Sequence, residues 1–221
     1  MSRESIRRQG FICYIFVKSV MVEITNIKVY DLEESVIASR NAMRLTPAEY
    51  TEEEFQESLN RAMKLAKAKS GSGHDNWLKG VRVSFDIKYP GYFTPELQRY
   101  NFVDIVTSSS KMHRLIQMDF DVCCNKYVDE ETKDHMKSLI VDYALATETG
   151  DAQDQYETFM RVVSNCPMGL ELFMRCSTNY LQLKTIYHQR KNHRLKEDWV
   201  KAFCQDFIAN LPYAKELIIG E

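Results

Sequence analysis

One heptapeptide constrains the fold more than any other part of the sequence. Between residues 81 and 87 the apolar and polar side chains alternate strictly, with Val81, Val83, Phe85 and Ile87 set against Arg82, Ser84 and Asp86. Successive side chains of a strand point to opposite faces of a sheet, so this pattern predicts a strand with one buried face. That face needs other elements to cover it.

Most of the remaining periodic segments predict helices. A second strand is expected at 22–30, and helices at 33–44, from Thr51 to about Lys69, and at 96–105, 130–147, 152–165, 179–192 and 197–209. Thr51 and Glu54 form a capping box, which marks a helix start. The sequence therefore predicts an α+β fold in which several long helices pack on one small sheet.

The composition limits the class of protein. A chain of 221 residues fits one large domain or two small ones. Its 29 Lys and Arg against 31 Asp and Glu give a formal charge of −2. Without a basic field over the whole protein, non-specific nucleic-acid binding is not expected. A small nucleic-acid-binding protein that uses the basic stretch 184–196 is the weakest alternative.

The first twenty residues are expected to be an extension outside the core. Their apolar run, residues 11–17, has no strand alternation and no helix cap, and it is too short to span a bilayer. Met21 opens the strand-like segment, so the predicted domain covers residues 21–221. No membrane partner is expected.

The cysteines indicate the compartment. Six are present and none forms a C-x-x-C pair. A strained Cys123–Cys124 disulfide is the minor alternative to buried or half-buried thiols. Cysteines without a disulfide framework favour a reducing, cytoplasmic setting.

Three polar clusters are candidates for chemistry, and the densest is the stretch 179–194. Asn179 and Arg190 are eleven residues apart, close to three helical turns, so they are expected on one face about 16 Å apart. An amide and a forked guanidinium on one face suit a nucleotide phosphate. The alternative is a solvated helix whose basic end is favoured by the helix dipole.

The second cluster joins 99–101 to the hydroxyl-rich residues 108–114. Ser109 and Ser110, followed by Lys111, could form a phosphate nest, or they could simply cap a helix that begins near Lys111.

The third candidate, His74, lies in a glycine-rich loop and could equally be an ordinary surface residue. No metal site is predicted, because His188 and His193 are five residues apart rather than four.

The order and spacing of these clusters resemble the flavin-dependent thymidylate synthases, most closely the divergent branch found in phage genomes. The stretch STNYLQLKTIYHQRKNHRLKEDW, residues 177–199, carries most of the resemblance. In that family an Asn opens a long helix and an Arg eleven residues later binds the nucleotide, which Asn179 and Arg190 match. Pro167 matches a family proline twelve residues before that Asn.

Residues 74–112 resemble the family's His loop, strand, helix and signature motif without a gap. By this match His74 falls on a flavin-contacting His, and Arg99 on the first Arg of the Arg-His-Arg signature. The matches near the nucleotide are Glu96 for a Gln beside the base, Ser109 for a nucleotide-contacting Ser, and Lys111 for the Arg that ends the signature.

The resemblance implies a mostly antiparallel sheet and a homotetramer whose active sites are shared between subunits. It implies methylation of dUMP to dTMP with FAD as the cofactor and with NADPH and methylenetetrahydrofolate as co-substrates, in the host cytoplasm if the chain is phage-encoded. The implied cofactor-binding residues are His74, Arg99 and Asn179, and the implied substrate-binding residues are Glu96, Ser109, Ser110, Lys111 and Arg190.

Three positions depart from the family pattern. Tyr100 and Asn101 replace the His and second Arg of the signature, and Val163 replaces an Arg that reaches the nucleotide in the family. Two alternatives follow: a divergent enzyme that modifies C5 of a pyrimidine deoxynucleotide in another way, and a catalytically inactive homologue that binds nucleotide or FAD.

Overall fold

The structure is a computed structural model that describes residues 17–18, 21–69 and 71–220. Within these residues five strands form one sheet in the order β1-β2-β3-β5-β4: β1 Val17–Lys18, β2 Glu23–Tyr30, β3 Arg82–Pro90, β4 Asp104–Ser108 and β5 Glu171–Asn179. The α-helices are α1 Leu32–Ala38, α2 Glu52–Ala66, α3 Thr94–Leu97, α4 Lys111–Arg114, α5 Phe120–Cys123, α6 Glu130–Thr149, α7 Ala152–Asn165 and α8 Tyr180–Arg190. Two π-helices follow at Lys196–Phe207 and Lys215–Ile219.

The chain folds as two compact units. The first contains Met1–Ile87, Tyr100–Val106 and Arg175–Glu221, and the second contains Lys88–Arg99 and Thr107–Met174. Strands β3, β4 and β5 each contribute residues to both units.

The sheet is small and antiparallel, as the resemblance implied. Strand β1 pairs antiparallel with β2, with Val17 opposite Ile24 and Lys18 opposite Glu23. Contacts between β3 and β5 run in opposite directions along the two strands: Arg82 meets Ser177, Asp86 meets Arg175, and Lys88 meets Glu171. Such a reversed series is the register of an antiparallel pair.

The core of the first unit is aromatic. Phe85 of β3 lies 4.8 Å from Phe207 and 6.1 Å from Phe203, measured between ring centroids. Trp199, Phe203 and Phe207 are fully buried, because four-residue spacing keeps them on nearly one face of a π-helix. The first unit therefore buries the aromatic face of this helix itself.

The second unit leaves apolar side chains exposed on its two long helices, α6 and α7. Val141 and Leu145 are each 57% exposed, and Tyr156 is 61% exposed. Val141 and Leu145 are four residues apart and so lie on one face of α6.

Several predicted elements are confirmed, and their local signals explain why. The alternation over 81–87 is a strand, and Thr51 accepts a hydrogen bond from the Glu54 backbone amide at the start of α2. Helices α6 and α7 match the predictions at 130–147 and 152–165 to within two residues.

Other predictions are wrong in their bounds or type. The helix predicted at 96–105 is the single turn α3, and residues 104–108 form strand β4, because β-branched Ile105 and Val106 favour extended backbone. The helix predicted at 33–44 ends at Ala38. Strand β5 was missed, although its Leu172, Met174, Cys176 and Thr178 alternate with less buried residues.

The described cysteines are all free thiols. This confirms the preferred prediction, and the alternative Cys123–Cys124 disulfide is not formed. Cys13 and nearly all of the predicted extension lie outside the described residues. Among residues 17–18, 21–69 and 71–220, no helix is long and apolar enough to cross a membrane.

Candidate functional site

Arg190 ends helix α8 and is held by aromatic neighbours within the first unit. Its Nε donates a hydrogen bond to the hydroxyl of Tyr100 at 2.7 Å, and its guanidinium carbon lies 4.7 Å from the centroid of the Trp199 ring. The side chain is half-buried. Stacking on an aromatic face and a fixed Nε bond orient the guanidinium before any ligand arrives. The structure thus holds Arg190 against the Tyr100 and Trp199 rings rather than on a solvated helix end.

Asn179 caps the opposite end of the same helix. Its backbone is extended, with φ −143° and ψ 166°, and its side-chain oxygen accepts a hydrogen bond from the Gln182 amide at 3.0 Å. Asn179 is therefore the N-cap of α8 and not its first residue, so the helical-face argument from eleven-residue spacing does not apply to it. The cap uses the amide oxygen, and its NH₂ group is the part suited to a ligand.

A buried ion pair fixes the His74 loop to the same helix. Lys184 of α8 donates to Asp75 Oδ2 at 2.7 Å and to the Ala66 carbonyl at 2.6 Å. The side chains of Lys184 and Asp75 are only 13% and 5% exposed. His74 itself is exposed, and Gly73 before it takes φ +80°, which a residue with a side chain rarely adopts. Helix α8 thus supports three candidates of the first unit: His74, Asn179 and Arg190.

The serine cluster lies in the second unit and extends the sheet. Ser109 exchanges two hydrogen bonds with Phe173, because its amide donates to the Phe173 carbonyl and its Oγ accepts from the Phe173 amide. Ser110 caps α4 by accepting from the His113 amide. Both hydroxyls therefore make structural hydrogen bonds, Ser109 to the backbone of β5 and Ser110 as the N-cap of α4. The capping role of Ser110 is the alternative given in the sequence analysis.

Lys111 follows Ser110 in the first turn of α4 and is exposed. Burial raises the pKa of the Cys166 thiol, and the positive charge of Lys111 acts in the opposite direction. Lys111 is therefore a flexible point charge at the surface of the second unit.

The remaining candidates, Glu96 and Arg99, lie on and just after α3. Glu96 is half-buried on the helix, and Arg99 is exposed two residues beyond its end. The candidate residues of the second unit are therefore Glu96, Arg99 and the cluster of Ser109, Ser110 and Lys111.

Three of the described cysteines, Cys124, Cys176 and Cys204, are poor nucleophiles. Burial raises the pKa of Cys124 to about 11, and that of Cys176 and Cys204 to about 12. A thiol with so high a pKa is protonated at neutral pH, whereas catalysis needs the thiolate. Within the described residues no group of three or more His, Cys, Asp or Glu is arranged to hold a metal ion.

Sequence reasoning missed three residues that build this region: Tyr100 and Trp199 around Arg190, and Asp75 beneath the His74 loop. Tyr100 and Arg190 are ninety positions apart, so no local pattern connects them. Asp75 and Lys184 were visible only as polar members of two separate clusters. Their pairing depends on the fold.

The architecture is that of the flavin-dependent thymidylate synthases. One solved structure, thymidylate synthase ThyX from Helicobacter pylori complexed with FAD and dUMP, matches with a TM-score of 0.62 and 13% identity. That match covers 86% of this chain and 94% of the other. A second structure of the same enzyme with FAD and dUMP matches with a TM-score of 0.54 and 14% identity, over 86% of this chain and 93% of that one. At this identity the likeness concerns the fold.

No protein-family model matches the sequence. No curated protein matches it either.

Proposed function

We propose that the chain is a flavin- and folate-dependent enzyme that methylates dUMP to dTMP. The observation that carries the proposal is the fold, which it shares over most of its length with an enzyme solved with FAD and dUMP. The oriented guanidinium of Arg190 supports it, since Arg190 matches the family's nucleotide-binding Arg. A stacked, forked cation is suited to bidentate phosphate binding.

The proposed nucleotide contacts are the residues that match the family's substrate-binding positions. Arg190 and Lys111 neutralise the phosphate of dUMP, Ser109 and Ser110 add hydrogen bonds to it, and Glu96 lies near the base. The Ser110 hydroxyl already accepts one hydrogen bond as a helix cap, but a hydroxyl retains a proton to donate.

The side chains assigned to FAD fit its polar groups. Arg99 and His74 are exposed, and each offers N–H donors of the kind that binds a pyrophosphate. Asn179 can add its NH₂ group. FAD supplies the hydride chemistry, while these residues bind and orient it.

The proposed reaction balances with two co-substrates. The one-carbon unit of methylenetetrahydrofolate replaces the proton on C5 of dUMP, and NADPH provides the two electrons that make this unit a methyl group. The products are dTMP, tetrahydrofolate and NADP⁺. The high pKa values of Cys124, Cys176 and Cys204 agree with a route that does not use a cysteine nucleophile.

The assembly and setting belong to the same proposal. We expect a homotetramer, for which the exposed apolar side chains of α6 and α7 provide contact area. A cytoplasmic location, in a host cell if the chain is phage-encoded, stays a prediction.

A second candidate function has a specific observation in its favour. Tyr100 and Asn101 replace the His and second Arg of the family's signature, and Val163 replaces an Arg that reaches the nucleotide in the family. The chain could therefore be a divergent C5-modifying enzyme or an inactive binding homologue.

Turnover separates these functions. The purified full chain is incubated with FAD, NADPH, methylenetetrahydrofolate and dUMP that carries tritium at C5, and the release of tritiated water and the formation of dTMP are measured. The proposal predicts both, and it predicts markedly less of both for Arg190→Ala at a dUMP concentration below the dissociation constant of that variant. Binding of dUMP without release of tritium supports the inactive homologue. Release of tritium with a product other than dTMP supports the divergent enzyme.

A further inference from the structure

Tyr100 occupies a site where a hydroxyl has a definite task. It is 7% exposed, and its oxygen lies 2.7 Å from Arg190 Nε and 3.1 Å from Gln189 Oε1. A guanidinium nitrogen can only donate and a side-chain amide oxygen can only accept. The hydroxyl proton must therefore go to Gln189, and the oxygen lone pair accepts from Arg190.

The order of bonds fixes the guanidinium in its plane. Arg190 donates to Tyr100, and Tyr100 donates to Gln189, which precedes Arg190 in α8. This chain of two hydrogen bonds thus begins and ends on adjacent residues of α8, and it passes through the hydroxyl of a buried tyrosine from another segment. Rotation of Arg190 about its last bonds would break it.

Trp199 fixes the remaining freedom. The guanidinium carbon is 4.7 Å from the Trp199 centroid and 5.5 Å from the Tyr100 centroid, and the two rings meet edge to face at 6.1 Å. Contact with both rings prevents the guanidinium from tilting. An Arg side chain carries five N–H donors, and the one on Nε is given to Tyr100.

We infer that Tyr100 is a positioning residue that sets the Arg190 guanidinium for the nucleotide phosphate. This inference rests on the proposed function, in which Arg190 binds dUMP. A side chain held in its bound orientation loses less conformational entropy on binding, so the gain appears as nucleotide affinity.

The test is calorimetric titration of dUMP into the full chain and four variants. Tyr100→Phe keeps the ring and removes the hydroxyl, and it is expected to raise the dissociation constant about tenfold, which corresponds to about 1.4 kcal/mol. Arg190→Ala is expected to have a larger effect. In the double variant, Tyr100→Phe should add nothing to Arg190→Ala, because the two act through one contact.

The fourth variant is the matched control. Tyr180 is also a fully buried tyrosine of the first unit, and its hydroxyl donates to the Pro212 carbonyl at 2.8 Å. Tyr180→Phe and Tyr100→Phe should lower the melting temperature similarly, and only Tyr100→Phe should weaken dUMP binding. If Tyr100→Phe does not fold, Gln189→Leu removes the proton acceptor at an exposed position and should raise the dissociation constant about threefold.

The outcomes separate two failures. Unchanged affinity in Tyr100→Phe, or in Gln189→Leu where that variant replaces it, while Arg190→Ala weakens binding, overturns the positioning role and leaves the proposed function standing. Equal weakening by Tyr100→Phe and Tyr180→Phe also overturns it, because the effect then reflects general destabilisation. If wild type fails to bind dUMP, or if Arg190→Ala binds as well as wild type, both the site assignment and the inference fall.

Discussion

Two cations are proposed to bind phosphate, Arg190 in the first unit and Lys111 in the second. Their structural surroundings differ. Arg190 ends an eleven-residue helix, is half-buried, and is held by Tyr100 and Trp199. Lys111 opens a four-residue helix and is exposed. We therefore expect the two residues to contribute differently to binding, although both match the family's motif. An oriented guanidinium binds with little further ordering, whereas an exposed ammonium must be immobilised and is screened by salt.

The largest expected effect comes from the ion pair beneath the first unit's candidates. Lys184→Met leaves the Asp75 carboxylate buried without its cation, so the free energy of unfolding should fall by about 3 kcal/mol. Lys111→Met is the same chemical change at an exposed site, and its effect should stay within about 0.5 kcal/mol. Urea denaturation of the two variants measures both values.

The double variant Asp75→Asn, Lys184→Met controls for the buried charge. It should be more stable than Lys184→Met alone, because the uncompensated carboxylate is gone. Equal losses in Lys184→Met and Lys111→Met would contradict the burial of the Lys184–Asp75 pair.

Removal of Arg190 should have the next largest effect, on binding. Arg190→Ala should weaken dUMP binding by about 1.5–3 kcal/mol, the range for hydrogen bonds to charged groups. A modest loss of stability should accompany it, because Tyr100 and Trp199 lose their contacts with the Arg190 side chain. Arg190→Lys keeps the charge and loses the fork, and calorimetry should find it intermediate. If Arg190→Lys matches wild type, charge alone accounts for the binding.

Lys111 should contribute less and in a different way. Lys111→Ala is expected to weaken dUMP binding by at most about 1 kcal/mol, as for other exposed charges. Because the charge is exposed, the difference from wild type should shrink as NaCl rises from 50 to 500 mM, roughly the range over which screening becomes strong. A loss as large as that of Arg190→Ala, and insensitive to salt, would reverse the comparison between the two cations.

Removal of residues 1–20 should have the smallest effect. A chain that begins at Met21 loses only the two-residue strand β1, paired with the start of β2, from the described part of the molecule. The predicted domain of residues 21–221 should keep its melting temperature to within a few degrees and keep its flavin content. Insolubility of the shortened chain would show that the removed segment belongs to the core.

Much of the fold could be predicted because its signals are local. Strict alternation marks β3 and a capping box marks α2, and both depend on neighbouring residues only. The first two residues of strand β4 were predicted as the end of a helix at 96–105, because the β-branched run 105–107 is too short to mark a strand by itself. Strand β5 was missed because Glu171–Asn179 contains neither Val nor Ile, two of the residues most enriched in strands.

The candidate site also has a part that the sequence could suggest and a part that only the fold reveals. The importance of Arg190 could be proposed from its spacing to Asn179 and the family resemblance, whereas its partners could not. Tyr100 reaches Arg190 across ninety positions of sequence, and Asp75 reaches Lys184 across 109. Contacts of such length are fixed by tertiary packing, which no window of sequence contains.

The most direct test of the account is the visible spectrum of the purified full chain, before and after incubation with FAD and gel filtration. A flavin held by the protein absorbs at about 450 nm, a wavelength at which protein side chains do not absorb. The account predicts that this band elutes with the protein, at up to one flavin per chain. A colourless protein after incubation with FAD would contradict the claim that this fold serves a flavin enzyme.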